Sequence, residues 1–238
     1  MKERPVCAIQ PCAGFSGTAK ITLKEGYSFC QIGEEAVFFD EQNDRYLLIP
    51  PTLRADFQRL VGREEIDEPQ LDQLMALGLF AAEGEHGPPL VPCDAPIPPH
   101  SIFDGTANEA VGIPIRVEVA YHLNAAHKRL RRSRLPGALN RIRKWKSSYK
   151  PEKPFKSEEV ERFARKFDKA RRSAPYQPRC LPDSLALFDF LASRSIPSSL
   201  VFGVKLDSFA AHCWIQAGDT LLNETVEEAA AFTQIRIA

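Results

Sequence analysis

Three side chains in the last quarter of the sequence could together do covalent chemistry: the thiol of Cys180, the imidazole of His212 and the carboxylate of Glu224. Cys180 opens the run Cys180-Leu-Pro-Asp-Ser-Leu-Ala-Leu-Phe-Asp-Phe-Leu191, in which Pro182 and Asp183 are first-turn residues. The spacing therefore predicts a helix with the thiol at its N-terminus. Free amides and the positive end of the helix dipole favour an anion there, which lowers a thiol pKa and supplies thiolate near neutrality. His212 falls on a predicted strand over 211–216 and Glu224 on another over 220–224, with Ala217-Gly218-Asp219 between them. If all three residues form the loop, His212 and Glu224 stand opposite one another on one face, their Cβ atoms roughly 4.5 to 5.5 Å apart. If the loop is Gly218-Asp219 alone, His212 pairs with Thr225 and Glu224 turns to the other face. Asp219, at the hairpin tip, is the rival carboxylate. A nucleophile, a base and an orienting acid are the parts of a thiol hydrolase or an acyl transferase. Taken singly, each has a plainer reading: a buried inert thiol, a structural histidine.

These residues need elements to hold them. A strand over 199–204 precedes the His212 strand, and helices are expected through 115–145, with a break at Pro136-Gly137, and from Ser157, an N-cap candidate followed by Glu158 and Glu159. Nearer the start, 27–32, 36–39 and 45–49 read as three short strands, with Asn43-Asp44 suiting a hairpin turn. Apolar residues at helical spacing follow in Leu53, Phe57, Leu60 and Val61, and again from Pro69 through Leu71, Leu74 and Leu77. Between these halves, residues 84–100 hold six prolines without strand or helix periodicity, which reads as a semi-rigid linker. The expected architecture is α+β: a small N-terminal domain over 1–83, a Pro-rich linker over 84–114 and a C-terminal domain over 115–238.

Composition narrows the class. No run of about 18 apolar residues could span a bilayer, and no export signal is evident at Met1-Lys2-Glu3-Arg4-Pro5, so a cytoplasmic protein without a membrane partner is expected. Six cysteines in 238 residues are too sparse for a disulfide scaffold and are expected as free thiols. Cys7, Cys12 and Cys30 could begin a zinc site, but no second close pair completes it, so no metal is expected. The net charge of zero hides an asymmetry: 8 basic and 18 acidic residues over 1–115, 20 and 6 over 116–179, 3 and 7 over 180–238. The basic runs at 129–134 and 141–146 could engage phosphates in a winged-helix nucleic-acid-binding regulator. The acidic charge of the candidate wing domain opposes that alternative, and no nucleic-acid partner is expected.

The segments Cys180-Leu-Pro-Asp-Ser-Leu-Ala-Leu, Ile196-Pro with Leu200-Val-Phe-Gly-Val, Phe209-Ala-Ala-His-Cys-Trp-Ile and Leu222-Asn-Glu resemble the transglutaminase-like cysteine proteases that process lasso-peptide precursors, the microcin-maturation B-protein family. The likeness covers about residues 175–238. The strand-rich region 20–82 is similar, more loosely, to the winged-helix-like peptide-recognition domain fused ahead of this protease in some members. The resemblance implies a papain-like fold, with Cys180 and His212 as catalytic pair and Glu224 where the family commonly has Asp. It implies capture of a precursor's leader as an added strand at the edge formed by Tyr46, Leu47, Leu48 and Ile49, beside the helix bearing Leu71 and Leu74. It also implies hydrolysis at the leader–core junction and hand-over to an asparagine-synthetase-like cyclase. No cofactor is expected for this chain; without a Gly-rich phosphate loop here, ATP would belong to the cyclase.

Overall fold

The computed structural model describes residues 7–8, 21–82, 87–105, 109–150 and 156–238. They fall into two compact units: one holds the described residues up to Asp94 with Leu206–Phe209, the other Ala95–Lys205 with Ala210–Ala238.

In the first unit, strands β1 (Cys7–Ala8), β3 (Tyr27–Ile32), β4 (Glu35–Asp40) and β5 (Arg45–Leu48) form a sheet of order β1-β5-β4-β3. The β3–β4 connection is Gly33-Glu34, with Gly33 at φ 60°, where a side chain would be strained. The β4–β5 turn is held by Asp40, whose carboxylate accepts from the Asn43 amide (3.1 Å), the Asn43 side chain (2.8 Å) and Arg45 Nε (2.8 Å). Alternation places Phe29, Phe38 and Leu47 on the inner face, where the Phe29 and Phe38 rings stack at 5.3 Å and Phe57 and Phe80 meet them edge-on or tilted. Phe57 comes from α1 (Arg54–Gly62), and Leu74 from α2 (Glu68–Met75), which is opened by an Asp67–Gln70 capping box. The pair β2 (Ile21–Leu23) and β6 (Phe80–Ala82), not anticipated from sequence because each is only three residues long, closes this core.

The second unit is a sheet of order β11-β8-β9-β10-β7 packed against helices. Its strands are β7 (His100–Ser101), β8 (Ser199–Lys205), β9 (Ala210–Ala217), β10 (Thr220–Leu221) and β11 (Thr233–Ile237). The helices are α3 (Ile113–Ser148), α4 (Ser157–Arg171), α5 (Cys180–Ala192) and the short α6 (Val226–Ala230). α5 is apolar all round, with Leu185 through Leu191 almost fully buried between the sheet and α3 and α4. Its one buried acid, Asp189, is clamped from α3 by Arg129 (2.8 Å) and Arg141 (3.1 Å).

Several expectations are corrected here. The break in α3 falls at Arg134 (φ 52°, ψ −162°), two residues ahead of Pro136, which thus stands in the first turn of the second segment, where its missing N–H costs no helical bond. Gly137 makes that kink possible, since a Cβ there would lie 2.3 Å from Ser133 Cβ. Lys156 occupies the N-cap position of α4 without a side-chain capping bond, and Ser157 is its first helical residue. The proline-rich stretch is not without structure. Leu90 packs on the first core, the Cys93 amide donates to the Phe29 carbonyl at 2.8 Å, and His100–Ser101 joins the second sheet as β7, parallel to β10. The third strand of the C-terminal hairpin ends at Leu221 instead of 224, and α6 and β11 follow it. Among the described residues no helix is long and apolar enough to cross a membrane.

Candidate active site

Cys180 is the first helical residue of α5, after Arg179 in extended conformation. The turn is fixed by Asp183: its carboxylate accepts from the Arg179 amide at 3.0 Å and from Arg171 Nε, at the end of α4, at 2.9 Å. Backbone amides at this position have no intrahelical partner, so they face whatever lies over the helix end.

His212 comes from β9, which packs along α5, and stands opposite Gly203 of β8. A Cβ on Gly203 would lie 2.8 Å from Phe232 Cβ and 2.9 Å from Trp214 Cζ3; its absence lets those two residues close around the imidazole. The His212 ring lies 5.3 Å from Phe232 and 6.1 Å from Trp214. Its Nε2 is 2.6 Å from Glu224 Oε2, and the ring also interacts with the Cys180 sulfur. The three residues singled out from sequence thus meet in one place.

They do so by a route that strand register alone does not permit. Thr220 pairs with Ala217 and Leu221 with Gln216, so the loop is Gly218-Asp219, the register that would turn Glu224 away. After Leu222, whose amide donates to the Ile215 carbonyl at 2.8 Å, the chain leaves the ladder. The Ile215 amide then donates to Asn223 Oδ1 at 2.6 Å, a side-chain oxygen standing in for a strand carbonyl. The backbone freed in this way swings Glu224 back to His212. Two further contacts hold it: the Thr225 amide donates to Glu224 Oε1 at 2.9 Å, and Ser101 Oγ of β7 donates to the Glu224 carbonyl at 2.7 Å. Asp219 stays at the hairpin tip, where its Oδ1 meets Thr220 Oγ1.

Sequence reasoning missed four contributors. Cys213, beside His212 in the chain and 3% exposed, is the strongest influence on the Cys180 thiol, acting through its own thiol and its backbone amide. Ser184, one turn after Cys180, donates to the Cys213 carbonyl at 3.3 Å and accepts from Asn223 Nδ2 at 2.9 Å. Asn223 thereby ties α5 to both strands of the hairpin, and Ser101 adds β7. The signals were a polar residue at i+4 on an apolar helix and an Asn directly before the acid.

The electrostatics follow from these contacts. The Cys213 thiol and then the His212 imidazole, against the opposing effect of burial, bring Cys180 down to about 4. Burial works to lower His212, but its bonds to Cys180 and Glu224 outweigh it and raise the ring to about 9. Burial would raise Glu224, yet the bonds from His212 and the Thr225 amide hold its carboxyl below the usual value. Cys213 is pushed up by the Cys180 sulfur it donates to and by burial, so it remains a thiol. The resting site is a thiolate–imidazolium pair backed by a carboxylate, the state needed for nucleophilic attack and for return of a proton to a leaving group.

The cysteine at a helix tip, the strand histidine and the acid on its Nε2 lie within a stretch matched in a family comparison. Residues 120–237 match the transglutaminase-like superfamily. The match spans α3 through β11 of the second unit and includes all three site residues. No curated protein and no solved structure matches the chain. The transglutaminase-like domain is consistent with an enzyme of cysteine-protease or acyltransferase type. Among the described residues no group of three His, Cys, Asp or Glu side chains could hold a metal ion; Cys12 lies outside the described residues.

The residues expected to receive a peptide lie in the first unit. Tyr46, Leu47, Ile49 and Leu74 are buried in its core, while Leu48 and Leu71 are half-buried. The β5 edge pairs with β1 in parallel, Cys7 opposite Leu47 and Ala8 opposite Leu48.

Proposed function

We propose that this chain is a leader peptidase of lasso-peptide biosynthesis, a B-protein with a fused peptide-recognition domain. The convergence of Cys180, His212 and Glu224 at the tip of α5, in a transglutaminase-like domain, carries the proposal. The sequence resemblance over residues 175–238 supplies the substrate class.

The chemistry runs from the resting ion pair. The Cys180 thiolate attacks the carbonyl carbon of the leader–core bond, and the oxyanion is met by the Cys180 amide at the helix tip. His212 gives its proton to the departing amine as the C–N bond breaks, leaving a thioester on Cys180. The neutral imidazole, held by Glu224, then takes a proton from water, whose oxygen releases the leader as a carboxylate. The freed core amine passes to an asparagine-synthetase-like cyclase, which supplies the ATP-dependent ring closure.

The winged-helix-like role of the first unit is part of the same proposal. The β5 edge at Leu47 and Leu48 already carries β1 in parallel, and the leader would take that edge in place of β1 as an added strand, with Leu48 and Leu71 nearest to it.

Incubating the full chain with a precursor peptide, followed by mass spectrometry, tests this reading. Cleavage at one junction is expected, absent in Cys180→Ala and slowed by about 10²- to 10⁴-fold in His212→Ala. Unimpaired cleavage by the Cys180 variant would overturn it. An added amine appearing in the leader product would instead identify acyl transfer.

A further inference from the structure

We propose that Cys213 is a resolving thiol for Cys180: a hydroperoxide closes a Cys180–Cys213 disulfide that shuts the site and that a dithiol reopens. This rests on reading Cys180 as the reactive thiolate of the site, and is independent of the precursor's identity.

Cys213 on β9 is held against the first turn of α5, where Ser184, one turn after Cys180, donates to the Cys213 carbonyl at 3.3 Å, and each of the two thiols is the strongest influence on the other. Their positions are held by a common brace, Asn223 Nδ2 to Ser184 Oγ to the Cys213 carbonyl, so contact does not depend on a chance rotamer of an exposed chain. Exposure divides the roles. Cys180 is half-buried and open to a small oxidant, whereas Cys213 is 3% exposed and cannot be reached first.

In the first step the Cys180 thiolate attacks one oxygen of the hydroperoxide. The O–O bond breaks, two electrons pass from sulfur to the peroxide, and hydroxide or alkoxide leaves, giving a sulfenic acid. In the second, the Cys213 sulfur attacks the Cys180 sulfur and the S–O bond breaks. The departing hydroxide takes the Cys213 proton as water, and the S–S bond forms. One peroxide is reduced and two thiols are oxidised, so the electrons balance. With Cys213 removed, a second peroxide would carry the sulfenic acid to the sulfinic acid, which thiols do not reverse.

The experiment treats the full chain with hydrogen peroxide, then digests it with and without dithiothreitol and maps all cysteines by mass spectrometry. The expected result is a loss of two hydrogens, a link between the peptides carrying Cys180 and Cys213, and full return of the Cys180 thiol on reduction. In Cys213→Ala and Cys213→Ser, the recoverable Cys180 thiol should fall severalfold as sulfinic acid accumulates. Wild-type protein that forms sulfinic acid as fast as these variants, or links Cys180 to another cysteine, would overturn the proposal. Because the readout is mass, absent peptide cleavage with the link formed would reject the proposed function and leave this inference standing.

Discussion

The Ile215 amide donates to Asn223 Oδ1 at 2.6 Å, and this bond decides where the Glu224 carboxylate goes. With a backbone carbonyl in that place the hairpin would continue in register and carry Glu224 to the far face. Asn223→Ala should therefore leave the Ile215 amide and Ser184 without their partner and cost about 1 to 3 kcal/mol in urea unfolding. The same variant should lower the pH at which activity is lost on the basic side, because His212 loses its carboxylate. A shifted stability with an unchanged pH profile would separate Asn223 from the site.

The thiolate–imidazolium pair sets a pH window. As pH falls through about 4, the Cys180 thiolate takes up a proton and iodoacetamide alkylation of Cys180 should drop; above that it should be flat, unlike an ordinary thiol. As pH rises through about 9, His212 loses its proton, so peptide cleavage should decline while alkylation continues. Glu224→Gln removes the charge that helps raise His212 and should move the basic limb to lower pH. Alkylation still climbing between neutral pH and 9 would contradict the ion pair.

Asp189 lies 5% exposed between two guanidinium groups. Asp189→Ala leaves Arg129, itself largely buried, without its counter-charge and should destabilise the second unit by about 3 to 5 kcal/mol. Arg141→Ala, whose side chain is 58% exposed, should cost far less. Equal losses in chemical denaturation would show that Arg129 is not the desolvated partner.

Gly203→Ala places a methyl group against Phe232 and Trp214, the residues that flank the His212 ring. Overpacking of this kind costs about 1 to 3 kcal/mol, and the displaced imidazole should also slow cleavage. A thermal melt with a kinetic assay reads both; a variant unchanged in either would mean that the sheet opens there freely.

Much of this arrangement is legible in the sequence. The helix tip at Cys180 is marked by Pro182 and Asp183, and the strands of His212 and of the first unit by their alternation. What sequence could not supply was the path of Glu224, because the ladder is broken by a side chain, and strand periodicity assumes that backbone pairs with backbone. The short strands β2, β6 and β7 were lost for another reason: two or three residues carry too little alternation to stand out, and β7 lies among prolines that read as unpaired chain.

The grip of Ser101 on Glu224 bears on how the second unit can be cut free. A fragment begun at residue 120, where the superfamily match starts, would lack β7, bare the outer edge of β10 and release the carbonyl that steadies the acid. A fragment begun at Ala95 keeps all three, so the smallest portion able to hold its acid in place reaches back past the boundary that family likeness draws.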